Sequence, residues 1–221
     1  MKLIETMRLN RRGEVLLLPL HLTRLRTSAQ QLGFFYDEKA LQQHLAIHLH
    51  QPQPQPQRLR LTLEKNGHVE ISCSTLAHTI TPVWLKLQST PINLPADSPL
   101  LLHKTTQRQH WHTGEKWLQQ HPHFFDVIYA DNTGLVTEGG RSNVYIWCKN
   151  RWITPPLQLG LLNGVLRRSL LQRGAVHEQC FTTEELLAAP KVRISNALRG
   201  WIDATIRPAH NPSPPAPPQS P

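Results

Sequence analysis

The strongest structural constraint in this sequence is an Asn66-Gly67 pair that separates two alternating segments. Apolar and polar residues alternate over residues 59–63 before the pair and again over residues 69–71 after it. Two residues of the Asn-Gly type are typical of a tight hairpin, because both tolerate the positive φ angles that the turn requires. The pattern therefore predicts two antiparallel strands, each with one apolar and one polar face.

The rest of the first half reads as a mixture of helix and strand. Apolar residues at helical spacing predict a helix over residues 20–32, and Asp37 is the expected N-cap of a second helix that ends near residue 49. Residues 14–18 and 83–87 have the composition of strands. Residues 51–57 read Gln-Pro-Gln-Pro-Gln-Pro-Gln, which excludes a helix or an inner strand and predicts an exposed loop, with a domain linker as the alternative.

The second half also alternates between the two kinds of element. A helix is expected from residue 103 to about residue 119, another over 164–173 with Asn163 as its N-cap, and a third from Thr183. The expected strands are residues 127–130, 136–138, 144–147, 152–154, 176–181 and 192–195. A change of composition at residues 91–99 predicts an N-terminal domain over 1–95, a C-terminal domain over 96–208 and a disordered, proline-rich tail over 209–221.

Composition disfavours several functional classes. The formal charge of +9 comes from dispersed Lys and Arg residues without a basic run, which favours a small anionic substrate or cofactor over nucleic acid. No segment has the roughly 20 apolar residues of a membrane span, and the start lacks an apolar signal segment, so we expect a cytoplasmic protein. The three cysteines are scattered, which predicts buried thiols, and the 13 histidines form no metal-ligand motif, so no metal site is expected.

Several residues could carry chemistry, although each has an ordinary explanation when it is taken alone. Lys104 follows an apolar run and could be a surface lysine at the end of a strand. Glu138 could be a solvated carboxylate after a turn, and Arg24 could lie on the wet face of an amphipathic helix. The segment 163–166 could be a plain turn into a helix. Their meaning depends on the segments around them.

Those segments follow one another along nearly the whole chain: IETMR at 4–8, HLTRL at 21–25, HKTT at 103–106, GLVTE at 134–138 with SN at 142–143, TPP at 154–156, GLLNGV at 160–165 and SNAL at 195–198. In this order they resemble the class IV, fold-type IV family of pyridoxal 5'-phosphate (PLP) enzymes. That family includes branched-chain and D-amino-acid aminotransferases and 4-amino-4-deoxychorismate lyases. The resemblance implies PLP as the cofactor and an α+β, two-domain D-amino-acid aminotransferase-like fold, with a small N-terminal α/β domain and a larger C-terminal mixed β domain with helices.

The resemblance also implies roles for individual residues. Lys104 would bind PLP as a Schiff base and then move protons, since an amine desolvated in a pocket has a lowered pKa. Glu138 would keep the pyridine nitrogen of PLP protonated, which makes the ring an electron sink. Arg24 and the backbone amides of Val165 and Leu166 would bind the phosphate. The remaining implied cofactor contacts are Asn143, Asn196 and Ala197.

Within the family, Thr6 and Leu166 favour the lyases, because branched-chain aminotransferases usually carry glycine and threonine at these positions. The HKTT and NAL runs also resemble lyase modules fused behind aminodeoxychorismate synthase subunits. The resemblance therefore implies a lyase of folate biosynthesis that converts 4-amino-4-deoxychorismate to 4-aminobenzoate and pyruvate, with Lys104 and Thr6 as catalytic residues. The candidates for binding substrate carboxylates are Arg108, Arg141 and Arg199.

Two other interpretations stay open: a class IV aminotransferase that acts on branched-chain or D-amino acids, and a non-catalytic member that binds PLP or a partner. The chain starts almost at the IETMR segment, whereas family members usually begin with an additional strand hairpin. A partner could supply this edge, or the chain could be the short form typical of the fused modules. The resemblance implies a homodimer with the pocket near its interface, and a synthase subunit is the other partner considered.

Overall fold

The hairpin predicted around Asn66-Gly67 is present and forms part of a small antiparallel sheet. A computed structural model describes residues 1–208, so the tail that was predicted to be disordered lies outside the described residues. Strand β1 (Leu3–Leu9) pairs with β2 (Gln57–Leu63), which in turn pairs with β3 (Val69–Thr75). The last glutamine of the 51–57 segment already belongs to β2, and the rest of that segment is the predicted loop.

Two helices, α1 (Leu18–Leu32) and α2 (Glu38–Ala46), cover the apolar face of this sheet. Asp37 is the N-cap of α2 as predicted, since its carboxylate accepts the Ala40 amide at 3.0 Å. The predicted strand over residues 14–18 is wrong, because Pro19 suits the first turn of α1 and the preceding residues form a turn. The core between helices and sheet contains Leu3, Met7, Leu25, Ala29, Leu41, Leu45, Leu59, Leu61 and Leu63. Burying each leucine stabilises the fold by roughly 1.5–3 kcal/mol.

The second sheet has eight strands and is mixed. Its strands are β4 (Val83–Leu87), β5 (Phe124–Ala130), β6 (Val136–Gly139), β7 (Asn143–Cys148), β8 (Arg151–Thr154), β9 (His177–Glu178), β10 (Val192–Asn196) and β11 (Gly200–Ile206). In space they follow the order β6-β5-β4-β11-β10-β7-β8-β9, and β4 runs parallel to both of its neighbours. Helices α3 (Pro99–Leu102), α4 (His112–Gln120), α5 (Val165–Gln172) and α6 (Thr183–Ala188) complete the described chain and confirm the expected α+β class.

Three predictions in this half need correction. The helix expected from residue 103 begins only at His112, because Thr105 instead forms a β-bridge with Leu3. Asn163 does not cap α5: its side-chain oxygen accepts a hydrogen bond from Arg167 at 3.2 Å, and Gly164 is the residue before the helix. The strand expected over residues 176–181 is reduced to two residues, and β11 was not predicted at all.

The two sheets meet beside Lys104. The amide of Ile4 at the start of β1 donates to the carbonyl oxygen of Lys104 at 2.9 Å, next to the bridge between Leu3 and Thr105. Strand β4 lies before residue 95 but belongs to the larger sheet, so sheet membership changes between β3 and β4. The division into domains at 1–95 and 96–208 stays a prediction.

The expectation of buried thiols is wrong for two of the three cysteines. Cys73 on β3 and Cys180 after β9 are both exposed, because β3 is an outer strand and β9 is a short strand at the edge of the larger sheet.

None of the helices within residues 1–208 is long and apolar enough to cross a membrane. Among those same residues, no group of three or more His, Cys, Asp or Glu side chains is arranged to hold a metal ion.

Candidate active site

A cavity of about 480 Å³ lies between the polar face of the small sheet and the end of the larger sheet. Its wall includes strands β1 and β2, the segment 103–111, the turn between β6 and β7, the start of α5 and the turn after β10. Of the residues predicted from the sequence, all except Leu166 line this cavity: Thr6, Arg24, Lys104, Arg108, Glu138, Arg141, Asn143, Val165, Asn196, Ala197 and Arg199.

Lys104 is held by its backbone between the two sheets, so its side chain enters the cavity from a fixed position. Burial lowers the pKa of its amine from 10.5 to about 8, and the nearby charge of Arg24 acts in the same direction. A lowered pKa leaves a useful fraction of the amine uncharged near neutral pH. Such an amine can attack a carbonyl group and accept a proton.

Glu138 at the end of β6 is the buried acid of the site, with only 5 % of its surface exposed. Its carboxylate accepts the Leu162 amide at 2.9 Å and the Asn143 side-chain amide at 3.3 Å. Burial, together with the nearby carboxylate of Asp126, raises the pKa of Glu138 to about 8. A carboxyl group in this state would ionise beside a cationic ring nitrogen, since an opposite charge favours the charged form.

Asn143 connects this acid to the start of α5. Besides its bond to Glu138, its side-chain amide donates to the Leu162 carbonyl at 2.9 Å. A Cβ atom on Gly164 would lie 2.0 Å from the Asn143 side-chain oxygen, so the close approach requires glycine at that position. The geometry therefore assigns Asn143 to positioning Glu138 and the segment before α5.

Arg24 of α1 is oriented by a buried carboxylate on β1. Its Nε donates to Glu5 Oε1 at 2.8 Å and its Nη2 to Glu5 Oε2 at 2.6 Å, a paired arrangement that fixes the guanidinium plane. His21 Nδ1 lies 2.5 Å from the same Oε2. Glu5 and His21 are both buried, and neither was predicted as a site residue although both lie within the quoted segments. Their charge and spacing could have suggested a role at the site, since His21 and Arg24 are one turn apart on α1.

The start of α5 supplies backbone donors. Gly164 has no side chain that could cap the amides of Val165 and Leu166, which an α-helix leaves without internal partners. The side chain of Leu166 packs against the buried cluster of Tyr145, Leu170 and Val176, so the leucine side chain itself points to the protein core. A helix start with free amides attracts an anion such as a phosphate.

The turn after β10 borders the same region. Asn196 accepts the Arg199 amide at 2.8 Å and donates to the Arg141 carbonyl at 3.2 Å. The first bond closes the turn itself, and the second joins the turn to the segment between β6 and β7. Ala197 lines the cavity within this turn.

The three arginines suggested for substrate carboxylates all have protein partners. Arg108 donates to Glu115 at 2.9 Å and to the Gly140 carbonyl at 2.6 Å. Arg199 donates to the Ala77 carbonyl. Arg141 is 52 % exposed and lies 4.0 Å from buried Asp126. Their guanidinium groups line the cavity, but each is already engaged to some degree.

Two further arginines line the cavity and were not predicted from the sequence. Arg58 and Arg60 occupy the polar positions of β2, where they alternate with the buried leucines. The β1–β2 register places Arg60 directly opposite Thr6. Alternation predicted that they share a face, but only the pairing of β2 with β1 shows that this face borders Lys104.

The donor set fits PLP. A lysine amine suits its aldehyde, a buried carboxyl suits its pyridine nitrogen, and a guanidinium with free helix amides suits its phosphate. A mixed α+β fold that brings these groups into one cavity defines a PLP-dependent enzyme.

Comparisons with known proteins agree with this class. The family model described as "Amino-transferase class IV" matches residues 2–206, and the chain belongs to that PLP-dependent family. A protein of Schizosaccharomyces pombe, provisionally named an aminodeoxychorismate lyase, is 30 % identical over 176 residues, which are 75 % of this chain and 72 % of the relative.

Two solved structures have the same fold. A protein of Mesorhizobium loti, provisionally named an amino-acid aminotransferase, is 32 % identical with a TM-score of 0.83, over 93 % of this chain and 99 % of the other. A Legionella pneumophila protein, provisionally named a 4-amino-4-deoxychorismate lyase, is 20 % identical with a TM-score of 0.76, over 93 % of this chain and 82 % of the other. The family, the fold and the cofactor implied by the sequence segments are thus confirmed.

Proposed function

We propose that this enzyme is a PLP-dependent lyase that converts 4-amino-4-deoxychorismate to 4-aminobenzoate and pyruvate. The observation that carries the proposal is the strongly cationic wall around Lys104 and Glu138. The arginines of this wall are Arg24, Arg58, Arg60, Arg108, Arg141 and Arg199, against the two acids Glu115 and Glu138. The Schizosaccharomyces pombe relative, whose provisional name is that of the lyase, supports the same reaction.

The chemistry of the substrate explains why this wall favours the lyase. 4-Amino-4-deoxychorismate carries two carboxylates, one on the ring and one on the enolpyruvyl group. A branched-chain amino acid carries one carboxylate and an apolar side chain, which would gain little from several arginines. Charge-assisted hydrogen bonds to carboxylates are worth about 1.5–3 kcal/mol each, so an excess of guanidinium groups discriminates strongly between these substrates.

The residues of this chain suit the proposed elimination. PLP, when it is bound, withdraws electrons from the substrate carbon that carries the nitrogen. Lys104, with its pKa lowered to about 8, removes the proton from that carbon. The bond between the neighbouring ring carbon and the enolpyruvyl oxygen then breaks, its electrons leave with that oxygen, and the ring becomes aromatic. The departing enolpyruvate takes up a proton from Lys104 to give pyruvate, with the Thr6 hydroxyl on the same cavity wall.

Glu138 and Arg24 hold the cofactor during these steps. The Leu162 amide and Asn143 fix the Glu138 carboxylate, and Glu5 fixes the Arg24 guanidinium. Rigid donors contribute more to a reaction than mobile ones, because they require little reorganisation as charge develops. No second substrate is needed, since the amino group leaves with the product.

The test is an assay on substrate made in place from chorismate and glutamine by an aminodeoxychorismate synthase. We expect fluorescent 4-aminobenzoate and an equal amount of pyruvate to form without any added keto acid. Lys104→Ala should abolish both products, whereas Lys149→Ala, on the turn between β7 and β8, should behave as the wild type. Absence of 4-aminobenzoate from the wild-type reaction would refute the proposal.

A class IV aminotransferase is the second candidate, and the Mesorhizobium loti structure favours it, because it covers 93 % of this chain under an aminotransferase name. Exchange of an amino group from a branched-chain or D-amino acid to pyruvate or 2-oxoglutarate would support this candidate. The same preparation can be assayed for both reactions, so the two outcomes are compared directly.

We further propose a cytoplasmic homodimer in folate biosynthesis, in which the cavity lies near the interface. Light scattering of the purified protein should give twice the chain mass of 25.3 kDa. Mixing with synthase subunits should give a larger species if a synthase is a stable partner. A monomeric mass would contradict the dimer without bearing on the reaction.

A further inference from the structure

Arg58 and Arg60 differ from the other cations of the cavity in their partners. Within residues 1–208, neither guanidinium group has a hydrogen-bond or ion-pair partner, whereas even Arg199 donates to a backbone carbonyl. Arg24 is paired with Glu5 and Arg108 with Glu115. Arg58 and Arg60 are nevertheless both partly buried and both line the cavity.

This arrangement is unfavourable for the fold alone. Burying a charge without a partner costs free energy, and two like charges on one face of a strand repel each other. Burial, with the nearby charges of Arg58 and Arg108, lowers the pKa of the Arg60 guanidinium. The described packing offers no compensation, since the leucines that alternate with these arginines face the opposite side. An anion that enters the cavity would offset the cost.

The strand register shows where such an anion would lie relative to Lys104. The Lys104 carbonyl binds Ile4, Arg60 is paired with Thr6, and Arg58 is paired with Arg8. With a rise of about 3.4 Å per residue, the Thr6–Arg60 pair lies about 7 Å along the strand from Ile4, and the next pair about 14 Å. The two free cations are therefore displaced from the lysine along the wall of the cavity.

We propose that Arg60, assisted by Arg58, binds the ring carboxylate of the substrate and selects for a carboxylate at that position. In 4-amino-4-deoxychorismate this group and the reacting nitrogen lie at opposite ends of the six-membered ring. A nitrogen directed at Lys104 thus sends the carboxylate outward towards Arg60. This inference rests on the proposed function for its substrate, but it concerns the charge at one end of the ligand.

The test uses the PLP-loaded enzyme and two ligands of nearly equal shape, 4-aminobenzoate and neutral 4-aminobenzamide. Dissociation constants are measured by the change in PLP absorbance or tryptophan fluorescence. The wild type should bind the carboxylate more tightly than the amide by about 10- to 100-fold. Arg60→Gln should weaken carboxylate binding by about tenfold or more and leave amide binding and PLP content unchanged. Arg58→Gln should act in the same direction with a smaller effect.

Two control variants separate a local contact from general charge or damage. Arg26→Gln removes one positive charge from an exposed ion pair on α1 and should leave both dissociation constants unchanged. Arg60→Lys keeps the charge and should recover part of the preference. If Arg60→Gln weakens both ligands equally, or weakens neither, the subsite is refuted.

Failure of this inference is distinguishable from failure of the proposed function. An enzyme that makes 4-aminobenzoate while Arg60→Gln leaves its KM unchanged would overturn the subsite and keep the lyase. A carboxylate preference that depends on Arg60, in a protein that makes no 4-aminobenzoate, would keep the subsite and overturn the lyase. If both are right, Arg60→Gln should raise KM for 4-amino-4-deoxychorismate about tenfold with a smaller change in kcat.

Discussion

Replacing Glu5 with glutamine removes the negative charge that holds Arg24 in place. In the wild type, the two Glu5 oxygens accept two of the Arg24 hydrogen bonds, at 2.8 and 2.6 Å, and His21 approaches within 2.5 Å. Only 2 % of the Glu5 side chain and 13 % of the Arg24 side chain are exposed. Glutamine would keep the shape but turn one acceptor into an N–H donor that faces other donors.

The pKa of Glu5 gives the size of the effect. Although burial opposes ionisation, the charges of Arg24 and His21 lower this pKa from 4.5 to about 2. Each pH unit corresponds to about 1.4 kcal/mol, so the ionised carboxylate stabilises the folded state by about 3 kcal/mol at neutral pH. Because the folded-state pKa is the lower one, this contribution is complete above pH 4.5 and is lost as the pH falls towards 2. We therefore expect Glu5→Gln to lower the free energy of unfolding by about 3 kcal/mol at pH 7.

Urea unfolding of the cofactor-free protein, followed by tryptophan fluorescence and circular dichroism, measures this difference without a contribution from PLP binding. The matched control is Glu38→Gln, which breaks the exposed pair with Arg26 at 3.4 Å and should cost less than about 1 kcal/mol. The gap between wild type and Glu5→Gln should narrow as the pH is lowered from 4.5. A gap below 1 kcal/mol at pH 7, or one that persists undiminished near pH 2, would refute the reasoning.

Three other predictions concern the cofactor site. Borohydride reduction of the PLP-loaded protein and peptide mapping should place the pyridoxyl label on Lys104, and a label on another lysine would contradict its role. Burial raises the pKa of Glu138 from 4.5 to about 8, so the cofactor-free wild type should lose stability as the pH rises through this interval. The melting temperature of Glu138→Gln should not decline over this pH interval. If the variant and the wild type show the same pH profile of melting temperature, the raised pKa of Glu138 is contradicted. Gly164→Ala should weaken PLP binding about tenfold or more in an absorbance titration, because its Cβ would meet the Asn143 oxygen at 2.0 Å. Unchanged affinity would show that Asn143 can move aside at little cost.

Local sequence patterns predicted those elements of the fold whose structure is determined by neighbouring residues alone. The Asn66-Gly67 hairpin, the Asp37 cap and strand β4 follow from turn chemistry, capping and alternation, and all are present. The errors lie where long-range contacts decide the structure. Residues 103–108 have no strong helix-breaking residue, yet they do not form a helix, because Thr105 instead pairs with Leu3, about a hundred positions earlier. Asn163 is a good cap by residue type, but the buried guanidinium of Arg167 occupies its side chain.

The predicted site residues came from segments whose spacing along the chain resembles a family, and the fold brings nearly all of them to one cavity. Residues that hold these groups in place without lining the cavity carry a weaker signal in the sequence. Glu5 is a single acid in a strand, and its importance appears only when Arg24 and His21 of α1 are seen to converge on it. The same holds for Asp126, which accepts Ser142 and the Arg141 amide and so fixes the turn between β6 and β7.

Arg58 and Arg60 mark the limit of sequence reasoning most clearly. Alternation along β2 shows that both arginines share the polar face, which would usually mean a solvated surface. Two further facts change that interpretation, and neither is local: β2 pairs with β1, whose Ile4 amide is bonded to the Lys104 carbonyl, and no acidic side chain within residues 1–208 pairs with either guanidinium. A solvated strand face tolerates such charges at little cost, whereas a cavity wall does not. The unpaired charge is therefore the feature that distinguishes a surface for substrate from a surface for water.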